Sequence, residues 1–142
     1  MFIVLYLYEI YRIMENNKKL KPTESELEIL QVLWEKGSAT VREVHEILEP
    51  VKDVGYTTTL KTMQVMAEKG MLGRNTSQRT HVYTPLLTRE DTQSQFLNKM
   101  IDGLFSGSAS RMVIGALSQE KISDKDLKEI REYLNNIENQ GS

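Results

Sequence analysis

The chain has 142 residues, with 18 lysines and arginines against 20 acids, a formal net charge of −2 and no cysteine. That length suits one small domain with a helical extension, and the lack of thiols excludes a disulfide framework or a thiolate metal site. His45-Glu46 opens like a zinc-protease motif, but Glu49 stands where the second histidine is needed. No glycine-rich phosphate loop or serine–histidine–aspartate pattern occurs. An enzyme is not expected, and no cofactor, metal or small-molecule ligand is implied.

Residues 1–20 stand apart as an N-terminal extension. MFIVLYLYEIYRIM is shorter than the ~20 residues a spanning helix needs. It also lacks the basic start and small-residue cleavage site of a signal peptide. Two readings stay open: Met14 is the natural start and the residues before it are upstream translation, or they form an extra helix that packs on a dimer or touches membrane.

Residues 21–87 read as a winged helix-turn-helix. Thr23-Glu24-Ser25-Glu26 has capping-box spacing and opens a helix to Lys36. Leu27, Leu30, Leu33 and Trp34 form its apolar stripe, widened by Ile29 and Val32, and Gly37 ends it. Trp34 is expected in the core. Ser38 and Ala39 make a short extended link. Thr40-Val41-Arg42-Glu43 repeats the capping box and opens a helix through Leu48 that Pro50 closes, with Val44, Ile47 and Leu48 as buried candidates. His45 is expected on its surface.

Thr57 to Lys69 is the predicted reading helix. Leu60, Met63, Met66 and Ala67 recur at helical spacing. Thr58, Thr59, Lys61, Thr62 and Gln64 are assigned to the opposite face, where hydroxyls, an amide and an ammonium can meet base edges and phosphates. The first turns, Thr57 to Gln64, should approach the bases. Thr58, Thr59, Thr62 and Gln64 are the candidate base contacts. Gly70 is placed to stop the helix in the left-handed region.

Met71 to Asn75 and Thr80 to Thr84 follow as two strands around a polar turn at Ser77 and Gln78, with Pro85 closing the second. Arg74 and Arg79 flank the turn, and His81 lies on the returning strand within reach of phosphate. Lys61, Lys69, Arg74 and Arg79 are the candidate phosphate contacts. Between Gly55 and Pro85 these four cations face Glu68 alone, a local excess of three positive charges in a chain that is acidic overall. DNA binding requires a basic face rather than a basic total.

Residues 88–142 carry three further amphipathic stretches. Phe96, Leu97, Met100, Ile101 and Leu104 form the first stripe, and Ser106-Gly107-Ser108 interrupts it. Ala109, Met112, Val113, Ala116 and Leu117 form the second. Leu127, Ile130, Leu134 and Ile137 form the third, in a helix opened by Ser123. Three such helices make a poor independent core, so burial against a second copy is expected; the alternative is folding back as a monomer. The overall class is mostly α with a small β-hairpin, joined to a C-terminal helical dimerisation region.

TESELEILQVLWEKGSATVREVHEIL, GYTTTLKTMQVMAEKG and HVYTP together resemble the BlaI/MecI penicillinase-repressor family of bacterial transcriptional regulators. Val65 and Lys61 depart from it, where relatives often carry a basic residue and a small hydroxyl residue respectively. The resemblance implies a cytoplasmic homodimeric repressor on an operator in double-stranded DNA. TQSQFLNKM resembles a segment that some members lose to proteolysis triggered by a membrane sensor protease. The matching bond here is Gln95–Phe96. Against DNA binding stands one alternative, a winged-helix interaction module that never touches DNA.

Overall fold

Thr23 and Thr40 each start a helix by the same reciprocal device. The Thr23 hydroxyl accepts the Glu26 N–H at 3.3 Å, and the Glu26 carboxylate accepts the Thr23 N–H at 2.9 Å. Thr40 and Glu43 repeat the exchange at 3.2 and 3.0 Å. Each box satisfies two backbone donors that a bare helix start leaves open. In the computed structural model, which describes residues 3–8, 20–119 and 121–141, these helices are α1 (Glu24–Lys36) and α2 (Val41–Leu48). Residues 3–8 are helical and exposed; Met14 lies outside the described residues.

Then follow α3 (Tyr56–Lys69), β1 (Leu72–Asn75), β2 (Val82–Pro85), α4 (Arg89–Leu104), α5 (Ala109–Gln119) and α6 (Asp124–Gln140). Gly70 ends α3 with φ 87° and ψ 12°, and Met71 N–H returns to Met66 C=O at 2.9 Å. A side chain with a Cβ is strained there, so glycine is required. β1 and β2 pair antiparallel, Leu72 opposite Pro85 and Asn75 opposite Val82. Ala39 exchanges both backbone hydrogen bonds with Tyr83, at 3.0 and 2.9 Å. The link between α1 and α2 therefore ties the hairpin to the helices.

Leu30, Leu33, Val44, Met63 and Met66 are fully enclosed between the three helices, and Met71, Leu72, Tyr83 and Leu87 close the core from the hairpin side. Removing such a side chain from water contributes about 1.5–3 kcal/mol. Trp34 is half-buried at the edge of this core, and its indole N–H donates to Leu87 C=O at 2.8 Å. On α2 the buried residues are Val41, Val44 and Leu48, while Ile47 is 45% exposed. Val41 stands three residues before Val44 and seven before Leu48, so it completes the stripe and Ile47 falls off it.

Two compact units emerge, Met1–Phe96 and Leu97–Ser142, with α4 starting in the first and ending in the second. In the first, Thr88 caps α4 by accepting the Asp91 N–H, and Arg89 bonds Glu35 at 2.7 Å. In the second, Ser106 (φ 51°) and Gly107 (φ 81°) break the chain between α4 and α5. Ser108 and Ser123 then cap α5 and α6. No described residue of this second unit is buried. Leu104 is 76% exposed, and Leu97, Met100, Val113, Ile114, Leu134 and Ile137 are exposed with it.

Candidate nucleic-acid interface

α3 presents a face set by its own apolar spacing. Thr57, Thr58 and Lys61 are exposed, and Thr62 and Gln64 are half-buried. Thr62 donates its hydroxyl to Thr58 C=O at 2.8 Å, and its oxygen keeps lone pairs able to accept a further hydrogen bond. Thr59 is the correction. It is 2% exposed, shares a 3.2 Å hydrogen bond with His45 Nδ1 and lies 3.5 Å from Gly55 C=O. It sits four residues before Met63 and seven before Met66, in line with the buried stripe, so it cannot reach a base.

His45 is corrected with it. Its side chain is 12% exposed, its Nε2 lies 3.7 Å from Glu49, and its ring meets Tyr56 edge-on at 5.6 Å. Far from being a surface residue, it joins α2 to the first turns of α3.

Lys69 is bound into the fold. Its ammonium donates to Glu26 Oε2 at 3.0 Å, and the Glu26 side chain is 5% exposed. Burial pushes the Glu26 carboxyl up, but the Thr23 N–H, the Lys69 ammonium and the Thr23 hydroxyl outweigh it and hold the group below its ordinary value. One carboxylate thus closes the start of α1 and clamps the end of α3. On Glu43, the Thr40 N–H and hydroxyl likewise lower the carboxyl.

The wing carries its charge outward. Arg74, Arg79 and His81 are exposed, and Asn75 Oδ1 accepts the Ser77 N–H at 3.0 Å to shape the turn. Between the wing, α2 and α3 lies an open cleft of about 420 Å³ lined by Arg42, Tyr56, Gln64, Arg79 and His81, among others. Sequence reasoning missed Arg42 and Tyr56. Arg42 belongs to the capping-box segment of α2, and nothing local indicates that it faces the wing. Among the described residues no acidic or histidine cluster could hold a metal ion, and no helix is long and apolar enough to cross a membrane.

Three helices and a two-stranded wing, with the third helix offering threonines, lysine and glutamine outward, define a winged helix-turn-helix protein of the DNA-binding class. A family model described as "Penicillinase repressor" matches residues 22–136, and the chain belongs to that family. Its members are transcriptional repressors rather than enzymes, and that membership implies DNA as the partner.

Among individual relatives, a penicillinase repressor of Staphylococcus aureus is 21% identical over 85% of this chain and 96% of its own. One of Bacillus licheniformis is 26% identical over 82% and 91%. The transcriptional regulator BlaI of Mycobacterium tuberculosis is 28% identical over 78% and 80%. A solution structure of the DNA-binding domain of the repressor BlaI is 26% identical, covers 51% of this chain and 93% of that one, and has a TM-score of 0.44.

Proposed function

We propose that this repressor works in the cytoplasm as a homodimer on a pseudo-palindromic operator. Two copies would set their α3 helices into successive major grooves, roughly 34–36 Å apart or a multiple of that. Thr57, Thr58, Thr62 and Gln64 meet base edges, while Lys61, Arg74, Arg79 and His81 meet phosphates. The observation that carries this reading is the outward threonine–lysine–glutamine face of α3 beside an exposed arginine-bearing wing. Residues 88–142 supply the pairing, because the second unit exposes its apolar side chains and buries none among its described residues.

Derepression follows by proteolysis, triggered by a membrane sensor protease. Gln95 and Phe96 are half-buried within α4, so cutting between them requires that turn to open first. Cleavage there would part the DNA-reading unit from most of the pairing unit. The test is titration of the full chain against the promoter duplex beside its own gene, over a range of salt. The proposal expects affinity falling steeply with salt. A chain that ignores duplex DNA at low ionic strength would be a winged-helix interaction module instead. An intact chain in induced cells would remove the proteolytic step.

A further inference from the structure

The cleft between the wing, α2 and α3 brings together arginines from two elements, with no acid among its lining residues. Arg42 enters from α2, and Arg79 and His81 enter from the wing; none of the lining residues is a carboxylate. Among the described residues neither Arg42 nor Arg79 has a carboxylate within ion-pair distance. Elsewhere in this unit Lys36 pairs with Glu43, Lys52 with Glu28, Lys69 with Glu26 and Arg89 with Glu35. Lys61 and Arg74, like the cleft arginines, carry no such pair among the described residues and belong to the proposed DNA face. Arg42 and Arg79 both line this cleft and are left for a ligand.

Arg42 is also held in advance. Its guanidinium lies over the Tyr56 ring, 5.6 Å from the centroid, and that ring rests edge-on against His45 on its own support. A cation–π contact of this kind leaves the guanidinium N–H groups able to fork onto an oxyanion. A side chain already ordered loses less freedom on binding.

We infer that this cleft seats a phosphodiester of the DNA backbone between Arg42 and Arg79, with Tyr56 as the residue that positions Arg42. The inference rests on the DNA-binding reading and deepens it. Gln64, a base-reading candidate, lines the same cleft, so a strand passing from the major groove under α3 towards the wing crosses it. The contact would fix the angle at which α3 enters the groove, because Tyr56 is the first residue of that helix.

The experiment is a salt titration of the full chain against a duplex of arbitrary sequence, with thermal unfolding run alongside. Arg42→Ala should bind roughly three- to tenfold more weakly and flatten the log–log salt slope by about one. Arg42→Lys should keep the slope, and Arg42→Ala with Arg79→Ala should lose about two. Tyr56→Leu should weaken binding with the slope retained, whereas Tyr56→Phe, which keeps the ring, should match the parent. An Arg42→Ala protein of unchanged melting temperature, affinity and slope would overturn the cleft assignment while leaving the DNA-binding reading intact. A parent chain that binds no duplex would overturn both.

Discussion

The two units of this molecule use similar amphipathic stripes to different ends. In the first, α1, α2 and α3 turn their stripes on one another and on the hairpin, and side chains from Leu30 to Met66 vanish from solvent. In the second, the stripes of α4, α5 and α6 are as regular in sequence, yet no described residue is buried. Periodicity tells which side of a helix seeks cover; it does not tell what provides the cover. A unit that closes its own core can present an unencumbered polar surface to DNA. A unit that leaves its apolar face open is suited to meeting another copy.

That contrast can be broken most forcefully from inside the closed core. Leu33→Ala should cost about 2–5 kcal/mol of stability in denaturant unfolding of the first unit, since the pocket it leaves cannot refill. In the second unit, Leu97→Asp together with Leu134→Asp should leave that unfolding transition in place. It should instead reduce the mass measured by sedimentation at micromolar concentration from two chains to one. A single-chain mass for the parent protein would refute the pairing role.

Glu26→Gln should lower stability near neutral pH by about 1 kcal/mol through loss of the charged partner for Lys69. The sign of the pH effect follows from the lowered carboxyl. Glu26 stabilises the fold above the ordinary glutamate range, and that contribution fades as pH falls through its depressed folded value. The variant should therefore show a flatter acid limb in melting experiments from pH 7 to about pH 3.

The smallest change separates neighbouring threonines. Thr58→Val should alter sequence preference among duplexes with little effect on stability. Thr59→Val should lower stability by about 1 kcal/mol through its lost bond to His45 and leave sequence preference alone. Reversed outcomes would mean that α3 presents a different face.

Much of the first unit was legible from local chemistry. Both capping boxes and the left-handed Gly70, and in the second unit the break at Ser106 to Ser108, depend on short-range hydrogen bonding and backbone freedom, which a sequence states directly. Thr59 and Val41 were also legible, because each lies at stripe spacing from residues already identified as buried. Their polarity in one case, and their position at a helix start in the other, masked the pattern. Arg42 and His45 were not legible. Their roles arise where α2 meets α3 and the wing, and no local pattern fixes which side chains face across such a crossing. Glu26 was legible as a cap, but its second bond to Lys69 spans 43 residues and exists only once α1 and α3 have packed.

The central claim is that paired copies read duplex DNA through α3 and the wing. Its most direct test is the stoichiometry of binding to the promoter duplex beside the gene, measured by light scattering or sedimentation at several salt concentrations. Two chains per duplex, with affinity falling steeply as salt rises, is the predicted result. A lone chain per duplex, or no complex even at low ionic strength, would contradict it.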